Sequence, residues 1–232
     1  MNKKYSANYN FFKTWSPKMA WVLGFIASDG NITYNKPKYS LRFCQTDKNS
    51  LEKVKRALDS NHRIYEFKKL KATWNTPYSL QICNKNMCQD LINLKITPRK
   101  SLTLEMPIVP DKFLRHFVRG YVDGNGCIRS IKHKQKTRIS YSLAIQINSG
   151  SKKFLEQLKL NLKKFGFNLS VRPTRNIFEV TIGGLKFGKW LYRDKEDWYS
   201  EKKFNKYKQI LGLIQLTKKN PYPQTMIKPA FE

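Results

Sequence analysis

Pro17-Lys-Met-Ala-Trp-Val-Leu-Gly-Phe-Ile-Ala-Ser-Asp-Gly-Asn-Ile32 returns, in altered form, as Asp111-Lys-Phe-Leu-Arg-His-Phe-Val-Arg-Gly-Tyr-Val-Asp-Gly-Asn-Gly-Cys-Ile128. Gly24 answers Gly120, Gly30 answers Gly126 and Ile32 answers Ile128, all at an offset of 96. Behind each segment the chain alternates polar and apolar residues and then opens a helix, with Leu51-Glu52 echoed by Leu155-Glu156. That later offset is 104, so the second copy is about eight residues longer, most simply in the basic stretch Arg129–Arg138. One structural unit has been used twice, and the repeat takes precedence over any local pattern.

Each copy divides into the same elements. Ser16 is an N-cap residue and Pro17 a natural first helical residue, opening a helix that stops at Asp29-Gly30. Strands are predicted at Asn31–Tyr34 and Tyr39–Thr46, a helix from an Asn49 or Ser50 cap to about Asp59, strands at Arg63–Phe67 and Pro77–Asn84, and a helix over Asn86–Leu94. In the second copy the helices are Lys112–Val122, Lys152–Phe165, Leu185–Tyr192 and Ser200–Leu211, with Gly166 and Gly212 as stops. Its strands are Cys127–Ile131, Ile139–Asn148, Phe167–Arg172 and Ile177–Ile182. The predicted class is α+β: two αββαββα repeats, each with a four-stranded antiparallel sheet, forming a saddle about a pseudo-twofold. The expected domains are residues 1–97 and 111–216, with a linker at 98–110 and an irregular tail at 217–232.

Composition narrows the function. The 232 residues carry 45 Lys+Arg against 16 Asp+Glu, a net charge of +29. Such a charge repels itself and exists for a polyanionic partner, nucleic acid first and an anionic membrane surface second. The basic residues are spread along the chain among Tyr, Phe, Asn, Gln and Ser, which favours a folded binding face over a solvated arm. With 14 Phe, 12 Tyr and 5 Trp there is material for a real core. The longest apolar run, Met19–Ala27, is about half a bilayer span, and no secretory leader pattern opens the sequence. The expectation is a cytoplasmic or organellar-matrix protein, not secreted, without a membrane partner. Cys44, Cys83, Cys88 and Cys127 form no C-x-x-C pair and the three His are scattered, so zinc spacing is missing.

The paired glycines suggest two helices packed closer than the usual ~8–10 Å, Gly24 against Gly120. Packing about the pseudo-twofold brings their C-terminal ends together. Asp29 sits at such an end, where the helix dipole disfavours a carboxylate by roughly 0.3–1 kcal/mol, so a cation is expected beside it. Two oxygen-rich helix ends, presenting Ser28, Asp29, Gly124 and Asn125, suit Mg²⁺.

The segments Val22-Leu-Gly-Phe-Ile-Ala-Ser-Asp-Gly30 and Val118-Arg-Gly-Tyr-Val-Asp-Gly-Asn-Gly126 resemble two copies of the LAGLIDADG motif, and residues 15 to 212 resemble a monomeric two-repeat LAGLIDADG homing endonuclease. The resemblance implies a DNA endonuclease without an obligate protein partner, reading a long duplex in the major groove and cutting across the minor groove. It implies Mg²⁺ as cofactor, with Mn²⁺ as a substitute and Ca²⁺ supporting binding without cleavage. It places the metal-binding acid at Asp29 and, in the second copy, at Asn125, whose neutral amide is the poorer ligand. That departure leaves open a weakened or strand-biased enzyme, a DNA-binding or RNA-maturase descendant, and an engineered Asp→Asn. Asp123, at the motif's sixth position, is implied to be structural, since two residues along a helix turn a side chain by about 200°. Gln45 is implied to order water in the cleft, with Asn148 or Ser149 as its counterpart. Lys100 is implied to support transition-state charge, with Lys203 or Lys202 in the second copy.

Strand alternation picks the DNA face. If Ile32, Leu41, Phe43, Ile64, Leu80 and Ile82 point to the core, then Asn31, Thr33, Ser40, Arg42, Arg63, Tyr65, Ser79 and Gln81 point to DNA. In the second copy Leu143, Ile145, Leu169, Val171, Phe178 and Val180 go inward, leaving Arg129, Ser142, Gln146, Asn168, Ser170, Arg172, Glu179 and Thr181 outward. Arg, Gln, Asn, Ser and Thr are the side chains that pair with base edges. Lys132, Lys134 and Arg138, with Lys36, Lys68, Lys69 and Lys136, are expected on loops against phosphates.

Overall fold

The computed structural model describes residues 5–69, 71–136, 138–194 and 196–219. After a 3-10 turn at Phe11–Lys13, the first half runs α1 (Pro17–Asp29), β1 (Gly30–Asn35), β2 (Lys38–Gln45), α2 (Lys48–Ala57), β3 (Ile64–Glu66), β4 (Tyr78–Ile82) and α3 (Lys85–Asn93). The second half runs α4 (Asp111–Asn125), β5 (Gly126–Lys134), β6 (Ile139–Ser149), α5 (Lys152–Lys163), β7 (Arg172–Thr174), β8 (Ile177–Gly183), α6 (Leu185–Tyr192) and α7 (Glu201–Lys219). The two sheets have the same order, β1-β2-β4-β3 and β5-β6-β8-β7. Every pairing is antiparallel.

Local chemistry explains the helix boundaries. Ser16 Oγ accepts from Met19 N at 3.1 Å and Pro17 stands in the first turn of α1. Asn84 caps α3 through Met87 N at 2.9 Å, and Ser151 caps α5 through Phe154 N. At the far ends Gly30 N donates to Ile26 O and Gly126 N to Val122 O, so both motif helices stop in the same way. Every residue from Met19 to Ala27 is buried, and α4 is buried from Phe117 to Asp123. An α1 apolar nearly all round belongs at the centre of a molecule. A Cβ on Gly24 would stand 1.9 Å from Phe117 O, and one on Gly120 would stand 1.9 Å from Trp21 O. The helices therefore cross backbone to backbone, with Trp21 Nε1 donating to Asp123 Oδ2 at 2.8 Å beside the crossing.

Several expected boundaries move. The α2 helix is capped at Asp47, and Ser50, one of the two expected caps, instead donates its hydroxyl to Asp47 Oδ2 at 2.7 Å. The α4 helix runs on to Asn125 rather than Val122, because the Gly126 cap mirrors Gly30. Gly166 does end α5, at φ +78, but Gly212 lies inside α7, carried by buried Tyr207, Ile210 and Ile214. The expected irregular tail begins with α7 still helical at 217–219, and the rest of it lies outside the described residues. The strand expected at Phe167–Arg172 shrinks to Arg172–Thr174, which leaves Asn168 and Ser170 exposed on irregular chain. Phe167 and Leu169 are buried either side of Asn168, so burial alternates there without a strand partner. Lys132 and Lys134 belong to strand β5, not to a loop, on the opposite face from Arg129. Arg138 sits in the β5–β6 connection, its backbone paired with Gln135.

Candidate functional site

Where α1 and α4 end together, Asp29 is half-buried and Asn125 exposed. Gln45, the last residue of β2, donates from Nε2 to Asp29 Oδ2. A Cβ on Gly124 would lie 1.9 Å from Ser28 Oγ and 3.0 Å from Asp29 Oδ2, so the second helix end touches the first only because Gly124 has no side chain. Ser28 Oγ donates back to Phe25 O at 2.9 Å. Lys100, from the linker, donates to Gly30 O at 2.6 Å, and Lys203, from α7, donates to Gly126 O. The lysines are thus equivalent across the pseudo-twofold, and Lys202, the other sequence candidate, is exposed.

Burial outweighs charge at this centre. It raises the Asp29 carboxyl above its ordinary value against the Gln45 amide, Lys100 and Lys203, all of which pull it down. It also pushes the Lys100 ammonium down to about 8, with Asp29 opposing. Lys203 is lowered for the same reason, against the pull of Asp123. Asp123 itself is buried, with Oδ2 accepting from Trp21 Nε1 and from Ser200 N at 2.7 Å, while Oδ1 has no hydrogen-bond partner among the described residues. Burial lifts it to about 6. It ties α4 to α1 and to the start of α7, and it lines a cleft of about 730 Å³ with Gln45, Gly124, Cys127, Lys202 and Lys203.

Register settles the counterpart of Gln45. Gly30 pairs with Phe43 and Gly126 with Ile147, so the residue two further along β6 is Ser149, not Asn148. Ser149 is buried at 7 % exposure, and its Oγ accepts from Ser151 N at 3.1 Å. The second helix end therefore has Asn125 and Ser149 where the first has Asp29 and Gln45. Among the described residues no group of three or more His, Cys, Asp or Glu is placed to hold a metal ion.

On the outer face of the first sheet, Asn31, Thr33, Ser40, Arg42 and Gln81 line one groove of about 580 Å³. Ser40 and Ser79 share that face but are buried beneath longer neighbours, Arg42 Nε donating to Ser79 Oγ at 3.2 Å. Arg63 lies just before β3 and is exposed, as is Tyr65 within it. On the second sheet Gln146 faces Thr181 and Glu179 faces Arg172. Gln146 Nε2 donates to Glu179 Oε2 at 2.7 Å and Asn148 Oδ1 at 3.1 Å. Ser142 meets His133 at 2.8 Å, and exposed Arg129 pairs with buried Ala144. Cys44, Cys83, Cys127, His133 and Phe67 also lie on these faces and were not singled out from the sequence. Each stands at an even spacing from a residue that was chosen, which was the available signal.

Fold and centre define a two-repeat α+β protein built on a glycine-mediated helix pair. Its sequence matches the LAGLIDADG-like domain family over residues 16–92 and 112–196, and the chain belongs to that family. Against curated protein sequences, nothing matches. Among solved structures, the homing endonuclease I-WcaI bound to its DNA recognition sequence is similar at a TM-score of 0.57 and 18 % identity, over 85 % of this chain and 90 % of that one. The LAGLIDADG meganuclease I-AabMI bound to uncleaved DNA gives 0.59 and 14 %, over 88 % and 92 %. Full-length DUF199/WhiA from Thermatoga maritima gives 0.56 and 14 %, over 94 % and 67 %. At such identities the likeness establishes the fold. No helix of the described residues is long and apolar enough to cross a membrane.

Proposed function

We propose that the chain is a site-specific DNA endonuclease of the homing type, monomeric, cutting one strand of its target far better than the other. The observation that carries this is the Asp29 centre. A half-buried carboxylate lies at the meeting of two helix ends, with an amide donor on one oxygen and two partly desolvated lysines close enough to lower its pKa. A net charge of +29 and two outward polar strand faces supply the binding surface for duplex DNA.

The donor set fits Mg²⁺. Asp29, with Ser28 Oγ and the Gly124 backbone close by and Asn125 next in α4, offers one carboxylate and neutral oxygens, the kind of site a hard ion completes with substrate phosphates. When bound, such an ion polarises the scissile phosphate and lowers the pKa of water. Within the protein, Gln45 holds Asp29 in one orientation. Lys100 and Lys203, fixed by the Gly30 and Gly126 carbonyls, keep positive charge where a phosphate would gather negative charge. At the other end Asn125 lacks the charge and Ser149 lacks the reach of Gln45, so that strand is cut slowly. The same pair favours a second reading, a sequence-specific DNA binder or RNA maturase that no longer cleaves.

The test is a selection on a randomised duplex library, bound in Ca²⁺ and switched to Mg²⁺, with strand-resolved sequencing of the ends. A long consensus with cuts mainly in one strand is expected, and Asp29→Asn abolishes cutting while keeping the consensus. A consensus without cuts establishes the second reading; cutting by Asp29→Asn refutes the assignment of the centre.

A further inference from the structure

The first sheet ends in a feature that the second does not share. Tyr65 and Phe67 are 49 % and 44 % exposed, on a face whose other members are polar or sulfur-bearing. Tyr65 pairs with Ser79, which pairs in turn with Cys44, one row beyond Arg42 and Gln81. Phe67 continues the strand pairing through its N–H to Pro77 O at 2.9 Å and, two residues on, falls on the same face as Tyr65. Each ring carries a guanidinium: Arg63 Cζ lies 5.6 Å from the Tyr65 centroid and Arg42 Cζ 5.9 Å from that of Phe67. Arg42 is also tethered below, Nε to Ser79 Oγ at 3.2 Å, and Ser79 is only 3 % exposed, so a short side chain forms the floor between ring and guanidinium. The outer strand of the second sheet presents Arg172 and Thr174 instead, without a ring, and the exposed apolar side chains on that face are the aliphatic Ile131 and Ile177.

We propose that this outer strand reads the 5-methyl group of a pyrimidine in the major groove through Tyr65 and Phe67, with Arg42 and Arg63 reaching the flanking base pair; this rests on the DNA-binding reading above. In a stacked duplex the flat faces of the bases are covered, so an aromatic side chain on a sheet has no base face to stack on. The one apolar feature on a major-groove edge is the C5-methyl. An arginine held on an aromatic ring keeps its outer N–H groups free and pre-oriented, which suits the O6 and N7 acceptors of a neighbouring guanine. Thymine and 5-methylcytosine share the methyl. The half of the target under the first sheet is therefore sensitive to that methyl through an aromatic pair, whereas any methyl contact in the half under the second would fall to the aliphatic Ile131, Ile177 and Thr174.

Once the target is selected, affinities are measured in Ca²⁺ for duplexes in which each thymine in turn is replaced by deoxyuridine, which removes the methyl alone. One or two replacements in the half under the first sheet weaken binding by about fivefold, the worth of one buried methyl. Any sensitivity in the other half, where the outer face carries Ile131 and Ile177, is the same in the parent and in the variant below. Cytosines at the same positions are replaced by 5-methylcytosine in parallel, and a gain there identifies methylated cytosine rather than thymine as the source. The Tyr65→Ser/Phe67→Ser variant, with both changes at exposed sites, loses the first-half sensitivity while keeping its melting temperature and its preference in the other half. Indifference to the methyl throughout the first half, or sensitivity there that survives in the variant, overturns the proposal. Failure to obtain any consensus overturns the DNA-binding reading first, and this inference with it.

Discussion

Replacing Gly24 by alanine inserts one carbon where the helices touch, and its cost can be worked from the crossing. The new Cβ would stand 1.9 Å from Phe117 O, about 1.5 Å short of ordinary contact at 3.4 Å. The obstacle is backbone, so no side chain can swing aside and the helices must separate or slide. Overpacking of this kind costs about 1–3 kcal/mol. A gap of 0.5–1 Å further along forfeits a quarter to a half of each contact, so the total reaches roughly 3–5 kcal/mol. Gly120→Ala meets Trp21 O at the same 1.9 Å and should cost the same. The two contacts share one crossing, so a separation that admits the first methyl admits the second. The double variant should lie within about 1 kcal/mol of the worse single one, a coupling of roughly 2–4 kcal/mol. Urea unfolding followed by far-ultraviolet circular dichroism measures all three, and thermal midpoints should drop by about 10 °C for each single variant. Asp29 and Gly124 lie about one turn beyond the crossing, so cleavage should fall further than DNA affinity. Midpoints within 2 °C of the parent, or strict additivity in the double variant, would refute a backbone contact at these glycines.

Asn125→Asp alone should raise cutting of the slow strand only modestly. Asn125→Asp with Ser149→Gln rebuilds the Asp29–Gln45 pair and should bring the two strand rates within about tenfold; strand-resolved end labelling reads both, and no change in either variant would break the equivalence of the helix ends. His116 is buried, its Nδ1 2.7 Å from Arg119 Nη2, and burial with Arg119 and Arg115 pushes it down to about 4, against a weaker pull from Asp194. The unfolded chain takes up that proton first, so stability is lost as pH falls from about 6.5 towards 4, by on the order of 2–3 kcal/mol. In His116→Gln the urea midpoint should fall less over that window, and parallel curves would contradict it. Trp21→Phe removes one of two donors to Asp123 Oδ2 and should cost about 2–3 kcal/mol, read as a lower urea midpoint at unchanged slope.

The fold was legible because its decisive signal is long-range and arithmetical. A constant offset of 96 between glycines survives any uncertainty about where a strand ends. The α1 cap was legible too, since Ser16 and Pro17 act locally. The copies diverge where local pattern no longer determines structure. Alternation through Phe167–Leu169 reflects burial of separate side chains against the core, and a strand needs a partner ladder that these residues lack. Gly212 reads as a stop by propensity, but tertiary packing of Tyr207, Ile210 and Ile214 carries α7 through it. At the candidate centre, Asp29, Gln45, Asn125 and Lys100 could be named in advance. The choices between Ser149 and Asn148 and between Lys203 and Lys202 could not, because a one-residue uncertainty turns a side chain to the other face of a strand and by about 100° around a helix. Lys132 and Lys134 were misplaced for a related reason: the extra length of the second copy was taken up as strand, and alternation turned them from the face of Arg129.

Each of the two lysines grips a helix–strand corner from a segment that comes after its own repeat is otherwise complete. Lys100 returns to Gly30 from the linker, and Lys203 returns to Gly126 from α7. The stretch that would travel as one piece in a recombination between relatives is then longer than the repeat of strands and helices. A hybrid joined at 97 would give the first corner a lysine from a foreign linker, while one joined beyond 103 would inherit it intact. Helix α7 is bound by the same rule, and it also receives the Lys53 ammonium of α2, 3.3 Å from the Glu201 carboxylate. Exchange of halves is therefore asymmetric, since the second half carries a handhold on the first.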